Sequence, residues 1–352
     1  LTNLLASGTS APLNKIKLSA NWMAAAGEEG EDAALFRAVE ATSLLCQALD
    51  LAIPVGKDSL SMKTLWQEEG KEKKIISPVT LVVSAFSITE DVRCSITPEL
   101  QPETKSVVVL VDLGQGQGRM GASSLLQTYG VIGSVPPDLD DPILFKKVFI
   151  RLNQLIHQGK IIALHDRSDG GLIITLAEML FASRLGLSIH LDEVISKAHN
   201  RHEAEKIQVN RALFNEELGW VLQIKETEYL ELKKDPLLSP LISYLGHVQK
   251  KDALKVTFAG KTLIEAPRSD LEHLWFSVSK AMQAKRDNLD CAQAEDNNID
   301  SDLKKIFFRV QEHHLAAPAI HQGLPPKVAV LREEGVNGHI EMAYAFHAAG
   351  FA

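Results

Sequence analysis

The fold is decided by the stretch KIIALHDRSDGGLIITLAEMLFAS, which runs from Lys160 to Ser183. Its apolar start, Lys160–Leu164, predicts a buried strand, and Leu172–Ser183 predicts a helix. The polar stretch His165–Gly171 between them, which ends in two glycines, predicts a loop. Strands and helices alternate on both sides of this unit, with some consecutive strands, and this order predicts a mixed α/β and α+β fold.

The loop His165–Gly171 carries the most specific chemistry. Asp166 supplies a hard oxygen ligand of the kind that Mg²⁺ takes beside nucleotide phosphates. Ser168 has a hydroxyl that can donate to a phosphate oxygen, and the two glycines allow the backbone to approach a ligand closely. The helix that follows would offer unpaired N–H groups to an anion. The loop therefore predicts a site for nucleotide and magnesium, and the alternative is ordinary capping of the helix by Ser168 or Asp169.

Length and composition limit the class of protein. With 352 residues, 45% of them apolar, the chain has enough material for about two domains. A formal net charge of −8 argues against a nucleic-acid partner and a membrane surface, because no basic field attracts phosphate groups. No apolar run reaches the roughly 18–20 residues that span a bilayer, and the start shows no secretory signal. Cys46, Cys94 and Cys291 lack CxxC spacing, which indicates neither zinc nor disulfides and favours a reduced, cytoplasmic setting.

A second motif, Gly56–Ser61, follows a short predicted strand at Leu51–Val55. A glycine turn that carries Lys57 and two hydroxyl groups suits a phosphate or an anionic substrate. The GxxxxGK[ST] spacing of a Walker A loop is absent. The motif therefore predicts either an anion-binding turn or an ordinary solvent-exposed turn.

Two further motifs leave alternatives open. Gly116–Gly121 matches GxGxxG between a strand and a helix, but no strand that ends in an acidic residue follows at the distance a dinucleotide site requires. A structural or nucleotide-facing turn is therefore favoured over a dehydrogenase site. Leu213–Gly219 has two acidic residues before a strand and predicts either a solvated turn or a contact to metal or substrate.

Both ends of the sequence resemble parts of longer elements. Leu1–Ala6 is typical of the end of a helix. Ser269–Arg286 predicts a helix, and the acidic, amide-rich stretch Asp287–Asp302 predicts a solvated connector. Lys327–Leu331 then predicts a strand, with a helix from His339, and a lone strand and helix cannot bury their apolar faces. We therefore expect the sequence to be part of a longer chain.

Five motifs occur in a fixed order, and together they are more specific than any one alone. They are KIKLSANWMAAAG (Lys15–Gly27), PVGKDSLSMKT (Pro54–Thr64), HDRSDGGL (His165–Leu172), LFNEELG (Leu213–Gly219) and KVAVLREEGVNGHIEMAYAFHAAGF (Lys327–Phe351). With these motifs the chain resembles, over almost its whole length, the large single-chain phosphoribosylformylglycinamidine synthases of bacteria and eukaryotes.

The resemblance implies a fold and a division into domains. These synthases contain aminoimidazole-ribonucleotide-synthetase-like two-domain units, followed by a class I glutaminase domain whose first βα unit would close this chain. The expected parts are the C-terminal part of the synthetase-like N-domain at 1–100, the synthetase-like C-domain at 101–267, a connector at 268–325 and the start of the glutaminase domain at 326–352.

The resemblance also implies a reaction in purine biosynthesis. It is the ATP-dependent amidation of formylglycinamide ribonucleotide to formylglycinamidine ribonucleotide, with ammonia taken from glutamine. The implied cofactors are ATP or ADP and Mg²⁺, and the implied partner is the rest of the same polypeptide, the earlier synthetase half and the glutaminase. This chain alone is expected to be inactive. The alternatives are a noncatalytic half that holds a nucleotide, or another ATP enzyme of the aminoimidazole ribonucleotide synthetase superfamily.

Site residues follow from the same resemblance, position by position. Asn3 and Asp166 match magnesium ligands of the family, and Ser168 matches a serine that contacts the nucleotide. Contacts to nucleotide or substrate phosphate are expected, by internal pseudo-symmetry, from Gly56, Lys57 and Ser59. No catalytic residue is expected in this chain, because none of its cysteines lies in the G-x-C-x-G-like elbow of a glutaminase.

Overall fold

The computed structural model describes residues 1–9, 12–103, 105–301, 324–333 and 336–352. The chain forms two compact units, Leu1–Asp300 and Ser301–Ala352. The pair His313–His314, for which the sequence predicts a solvated position, lies outside the described residues.

Over the described residues, the chain contains strands, α-helices and three short 3₁₀ turns. The strands are β1 (Lys17–Met23), β2 (Ala52–Ser59), β3 (Lys63–Glu68), β4 (Lys71–Ile76), β5 (Thr80–Phe86), β6 (Ser106–Asp112), β7 (Ile161–Asp166), β8 (Gly186–His190), β9 (Gly219–Lys225), β10 (Ile242–Gln249), β11 (Ala253–Phe258) and β12 (Lys261–Pro267). The helices are α1 (Glu31–Leu49), α2 (Ser124–Thr128), α3 (Pro142–His157), α4 (Gly171–Ser183), α5 (Asp192–Lys197), α6 (Glu205–Phe214), α7 (Glu226–Leu232), α8 (Arg268–Arg286), α9 (Leu289–Asn297) and α10 (His339–Ala348). Among these described helices, none has the length and apolar composition needed to cross a membrane.

The first sheet has three strands in the order β2–β1–β5. β1 and β2 are parallel, with α1 as the crossover between them, whereas β1 and β5 are antiparallel. α1 begins with Glu31 and Asp32, whose negative charges interact favourably with the positive end of the helix dipole.

Strand β2 corrects one prediction. The sequence predicts that a short strand ends at Val55 and that Gly56–Ser59 forms a turn, but β2 continues through Ser59 and pairs with β1. Gly56 allows this pairing, because a Cβ on it would lie 2.9 Å from the carbonyl oxygen of Ala20 on β1. The glycine therefore permits close contact between two strands and does not form a turn.

The second sheet has seven strands in the order β12–β11–β8–β10–β6–β9–β7. β6 lies antiparallel to β10 on one side and to β9 on the other. Its side chains alternate between the two faces, as the period of two in a strand requires. Val109 and Val111 belong to the core that includes α3, and Val108 and Leu110 belong to the core that includes α4. Helices therefore cover both faces of this sheet.

The first sheet shares the core that contains α3. Leu18 from β1 and Leu49 from α1 belong to the same buried cluster as Phe145 from α3. Trp220 of β9 is fully buried in this cluster and stacks against Phe145, with ring centroids 6.1 Å apart. This packing joins the two sheets within the unit Leu1–Asp300.

The stretch that the sequence predicts as a solvated connector is folded in its described part, 287–301. α9 packs against α8, and Asp296 of α9 is buried. The Asp296 carboxylate contacts His273 Nδ1 at 3.1 Å and forms an ion pair with Lys280, both of which lie on α8. Most residues of 287–301 are exposed, as the sequence predicts, but the stretch is ordered and packs on α8 through a few buried residues, which the sequence does not predict.

In the unit Ser301–Ala352, the helix α10 lies where the sequence predicts a helix. The predicted strand at 327–331 is not formed as a strand. Two backbone hydrogen bonds join this region to the end of the chain, from Val328 N to Ala352 O at 3.1 Å and from Ala352 N to Pro326 O at 2.9 Å. A strand needs a neighbouring strand for its backbone groups, and the described part of this unit contains none.

Candidate functional site

Three of the motifs singled out in the sequence meet at one edge of the seven-stranded sheet. β7 ends at Asp166, β6 ends at Asp112, and β9 begins between them at Gly219. Backbone pairing fixes this arrangement, since Asp112 lies opposite Gly219 and Asp166 lies opposite Trp220. The loop after Asp166, the glycine-rich turn after Asp112 and the acidic segment before Gly219 therefore come together.

An ion pair between Arg167 and Asp112 holds two of these segments together. Arg167 is 3% exposed, and its Nη2 donates to Asp112 Oδ1 at 2.6 Å. Its Nε donates to the backbone carbonyl oxygen of Glu217. The Asp112 carboxylate also accepts the N–H groups of Gly114 at 3.1 Å and Gly116 at 2.9 Å. The glycine-rich turn is thus folded around a carboxylate of its own chain.

This geometry contradicts the dehydrogenase alternative for Gly116–Gly121. A dinucleotide-binding fold places its glycine turn after a parallel strand of a βαβ unit and offers the N–H groups of the turn to pyrophosphate. Here β6 has antiparallel neighbours on both sides, and two N–H groups of the motif are bonded to carboxylates of the chain, that of Gly116 to Asp112 and that of Arg119 to Glu217. The turn is therefore a structural one.

Glu217 forms the second buried ion pair of the site. Its side chain is 1% exposed and faces Arg119, whose Nε and Nη2 donate to the two carboxylate oxygens at 2.8 and 2.7 Å. The backbone N–H of Arg119 donates to the same carboxylate at 2.9 Å. These bonds raise the pKa of Arg119, so the bidentate pair stays charged. The interpretation of Leu213–Gly219 as a solvated turn is therefore wrong.

Glu216, next to this pair, joins the loop to the helix α2. Its Oε1 accepts the N–H of Gly170 at 2.7 Å and the N–H of Ser124 at 2.8 Å. Gly171 lies so close to the same segment that a Cβ on it would be 2.6 Å from the carbonyl oxygen of Asn215. The start of α4 is therefore covered by residues of this chain.

This covering engages two of the N–H groups at the expected anion site. The Gly170 N–H is bonded to Glu216, and the Gly171 N–H donates to the Ser168 carbonyl oxygen at 3.0 Å. The N-cap residue is Gly170 and no side chain caps the helix, so capping by Ser168 or Asp169 is wrong. Both of those side chains are exposed.

Asp166 lies at the end of β7 and is largely buried. Its Oδ2 accepts a hydrogen bond from Thr2 Oγ1 at 2.9 Å, and its Oδ1 lies 3.4 Å from His165 Nδ1. Burial alone would raise the pKa of this carboxyl, but the hydrogen bonds from His165 and Thr2 outweigh burial and lower the pKa. Asp166 is therefore a carboxylate at neutral pH, which is the form that binds a cation.

His165 bridges Asp166 and a glutamate of α4. Its Nε2 contacts Glu178 Oε2 at 2.8 Å. Burial lowers the pKa of the imidazole, but the two carboxylates outweigh burial and raise the pKa to about 9. The ring is therefore protonated at neutral pH and compensates part of the negative charge of Asp166.

The first residues of the chain lie against Asp166. In addition to the bond from the Thr2 hydroxyl, the Thr2 carbonyl oxygen accepts a hydrogen bond from Trp220 Nε1 at 3.0 Å. Asn3 follows directly, at the start of a 3₁₀ turn, and its side chain is exposed. The structure thus places Asn3 next in sequence to a residue that is bonded to Asp166.

The second group of predicted site residues, Gly56, Lys57 and Ser59, belongs to β2 at the edge of the first sheet. Lys57 is exposed, and its Nζ donates to Ser59 Oγ at 2.8 Å. Within the described part of the chain, no hydrogen bond or ion pair joins this group to Asp166 or Ser168. The two groups of predicted residues therefore form no single cluster of bonded side chains.

Sequence reasoning does not predict that charged residues hold the motifs together, namely Asp112, Arg119, Arg167, Glu216 and Glu217. Each of them lies inside or beside a quoted motif, and their opposite charges are the signal that could have found them. An arginine in a glycine-rich loop that packs against a sheet needs a carboxylate when it is buried. Two such arginines predict two carboxylates nearby.

The residues present fit a magnesium ion only together with a nucleotide. Among the described residues, no group of three or more His, Cys, Asp or Glu side chains is arranged to hold a metal ion. In nucleotide sites, Mg²⁺ is commonly held by one or two carboxylates together with phosphate oxygens and water. Asp166 supplies one anionic carboxylate, which meets this requirement.

Comparisons with known proteins define the class. Residues 106–259 match the C-terminal domain of AIR synthase related proteins. Residues 1–88 match the FGAR-AT PurM_N-like domain, and residues 325–352 match the CobB/CobQ-like glutamine amidotransferase domain. The chain is thus an AIR-synthase-related pair of domains followed by the start of a glutamine amidotransferase domain.

These three domains follow one another in the order that the resemblance to the large phosphoribosylformylglycinamidine synthases implies, and the first is an FGAR-AT domain. This finding confirms the resemblance and the fold class inferred from the sequence.

Solved structures show the same fold. PurL of Thermotoga maritima complexed with FGAR has a TM-score of 0.56 at 12% identity, over 76% of this chain and 40% of that chain. PurL of the same organism complexed with ATP has a TM-score of 0.51 at 12% identity, over 76% and 38%. A HypE–HypF complex has a TM-score of 0.51 at 13% identity, over 74% and 83%. The chain therefore spans about two fifths of the PurL chains that it matches.

Proposed function

We propose that this chain takes part in the ATP-dependent, glutamine-using amidation of formylglycinamide ribonucleotide to formylglycinamidine ribonucleotide. In this reaction ATP phosphorylates the formamide oxygen, and ammonia from glutamine displaces the phosphate. The matches to an FGAR-AT domain, an AIR-synthase-related domain and the start of a glutamine amidotransferase domain, in this order, support the proposal. The PurL complexes with FGAR and with ATP agree with it, since those proteins share the fold.

Within that reaction we assign to this chain the holding of a nucleotide at the loop His165–Gly171. Asp166 and Asn3 would hold Mg²⁺, which would neutralise charge on the phosphates, and Ser168 would contact the nucleotide. The observation that carries the assignment is the anionic Asp166 carboxylate, which is held at 2.9 Å by Thr2, the residue before Asn3. The buried side chain of Arg167 holds the loop in place. It donates to Asp112 at the end of β6 and to the Glu217 carbonyl oxygen before β9.

The exposed strand β2 remains a proposed second contact to phosphate. Lys57 and Ser59 lie on the same face of the strand, because they are two residues apart, and a 2.8 Å hydrogen bond joins them. An ammonium group beside a hydroxyl can bind a phosphate oxygen with both. Because Gly56 has no Cβ, this edge strand can pair closely with β1.

The first sheet supports the expected contact with the rest of the polypeptide. Val55, Val82 and Phe86 are 62%, 50% and 59% exposed. They lie on one face, because their partners in β1 are Ser19, Asn21 and Lys17, which alternate with the buried residues of that strand. Large apolar side chains exposed on one face of a sheet are typical of an interaction site, and we assign this face to contact with the earlier synthetase half.

Titration of the chain with ADP in the presence and absence of Mg²⁺ tests the nucleotide assignment. Asp166→Asn is expected to weaken the Mg²⁺-dependent binding of ADP about tenfold or more, because it removes the anionic ligand. Asp169→Asn is the matched control, since it changes an exposed carboxylate of the same loop. Equal ADP affinity for the Asp166→Asn variant and the unchanged chain, at saturating Mg²⁺, would contradict the assignment.

The chain alone is proposed to hold the nucleotide without catalysing amidation. None of Cys46, Cys94 and Cys291 lies in the glycine-flanked elbow that a glutaminase nucleophile needs. The charged residues around the loop are engaged in ion pairs and backbone hydrogen bonds. An assay of amidine formation with ATP, Mg²⁺, formylglycinamide ribonucleotide and ammonia tests this proposal, and appreciable turnover by the isolated chain would refute it.

A further inference from the structure

A polar cleft opens at the same edge of the seven-stranded sheet, between β6, β10 and α5. Its volume is about 430 Å³, within the range of small-molecule sites, about 300–1,000 Å³. Leu110 and Ser243, which lie opposite each other in the pairing of β6 with β10, both line it. Val194 and Lys197 line it from α5. The cleft therefore has the size of a small-molecule binding site.

Ser243 has hydrogen-bonding capacity that the protein does not use. The residue is 3% exposed and lines the cleft. Within the described residues, no side-chain hydrogen bond involves its hydroxyl. The large majority of buried polar side-chain atoms have a hydrogen-bond partner. The hydroxyl is therefore available to a ligand in the cleft.

Two basic side chains, Lys197 and Arg201, line the cleft and bring positive charge to it. Arg201 is exposed and forms no ion pair with any carboxylate of the described residues, whereas Lys197 lies 3.2 Å from Glu193. Asp112 also lines the cleft, but its charge is compensated by Arg167 at 2.6 Å. An uncompensated guanidinium thus remains at the cleft, and this group binds anions of phosphate type well.

We propose that this cleft binds a small phosphate monoester. The phosphate would lie at Arg201 and Lys197, with the Ser243 hydroxyl donating to one of its oxygens. Two cationic groups and a hydroxyl match the three terminal oxygens of a phosphate better than the two of a carboxylate. The apolar side chains of Leu110 and Pro240, which line the cleft, would contact the organic part of the ligand. The proposal does not depend on the proposed nucleotide site at Asp166.

Calorimetric titration with glycerol 3-phosphate, in buffer without nucleotide or Mg²⁺, tests the proposal. We expect saturable binding of glycerol 3-phosphate and none of glycerol, the uncharged control. Arg201→Gln should weaken binding about tenfold, and Ser243→Ala should weaken it by a smaller factor, about threefold. Arg37→Gln is the charge-matched control, because Arg37 is an exposed arginine on α1 and is expected to leave the affinity unchanged.

Three results would overturn the proposal. Glycerol that binds as well as glycerol 3-phosphate would show that the phosphate is not recognised. Arg37→Gln that weakens binding as much as Arg201→Gln would show only a general effect of charge. Binding that is lost in Asp166→Asn and unchanged in Arg201→Gln would place the phosphate at the loop. Thermal denaturation of each variant verifies that it is folded, and Arg201→Lys, which keeps the charge, should recover part of the affinity.

Discussion

The Glu216 carboxylate accepts the N–H of Gly170 at 2.7 Å, at the point where the loop after Asp166 enters α4. The same oxygen accepts the N–H of Ser124 at 2.8 Å. A negative charge at this place is stabilised by the positive end of the helix dipole. The chain therefore places one of its own carboxylates beside the start of α4. We predict that the shape of the loop depends on this carboxylate.

Replacing Glu216 tests that dependence. Glu216→Ala is expected to weaken Mg²⁺-dependent ADP binding and to destabilise the chain by about 1–3 kcal/mol, because two backbone N–H groups lose their acceptor. Glu216→Gln keeps a carbonyl oxygen that can accept both bonds, so most of the ADP affinity should return in that variant. Calorimetry gives the affinity, and urea unfolding gives the stability. If Glu216→Ala binds ADP like the unchanged chain, Glu216 does not position the loop.

The buried ion pair of Arg167 and Asp112 gives a second prediction. Arg167→Met is expected to destabilise the chain by about 3 kcal/mol or more, because it leaves a partly buried carboxylate without its counter-charge. Arg286→Gln is the control, since that arginine forms an exposed ion pair with Asp287 and the urea midpoint should not change. The double variant with Asp112→Asn should lose less stability than the sum of the single changes. Additive losses would show that the two side chains do not act as a pair.

The pattern of apolar residues along the sequence was sufficient to predict the strands and helices that are strongly apolar. β7 and α4 are predicted because each contains a long run of apolar residues, most of which the structure buries. The hairpin of β3 and β4 is not predicted, because Lys63–Glu68 and most of Lys71–Ile76 are exposed and lack an apolar period. The sequence predicts β2 too short. The glycine and polar residues of Gly56–Ser59 are typical of a turn, but pairing with β1 keeps them in a strand.

The candidate site was recognisable as separate motifs and not as an assembly. Arg167 and Asp112 are 55 residues apart, and Arg119 and Glu217 are 98 residues apart. Only the order β6–β9–β7 brings these segments to one edge, and strand order is a property of the whole sheet. The motif residues could therefore be named from the sequence, while the ion pairs that join them could not.

Gly171 tests how closely the segment before β9 covers α4. A Cβ on Gly171 would lie 2.6 Å from the Asn215 carbonyl oxygen, and the residue has a φ of +72°. Gly159 has a φ of +65° but open space around it, so Gly159→Ala adds only the conformational cost, about 1–2 kcal/mol. Gly171→Ala adds the steric clash as well and is expected to lower the urea midpoint clearly more. If the two variants lost equal stability, the segment before β9 would not pack closely against the start of α4.

His273 gives a prediction for pH. Hydrogen bonds to Asp300 and Asp296 raise the pKa of this imidazole above its ordinary value of about 6.5. A raised pKa in the folded state means that the protonated ring stabilises the fold fully below about pH 6.5, and that this contribution is lost as the pH rises through the raised pKa. His273→Gln lacks the contribution at every pH. The difference in Tm between the unchanged chain and this variant should therefore be largest near about pH 6 and decrease towards about pH 9. Because Lys280 also binds Asp296, α9 should stay attached to α8 throughout, and a Tm difference that is constant with pH would contradict the protonated ring.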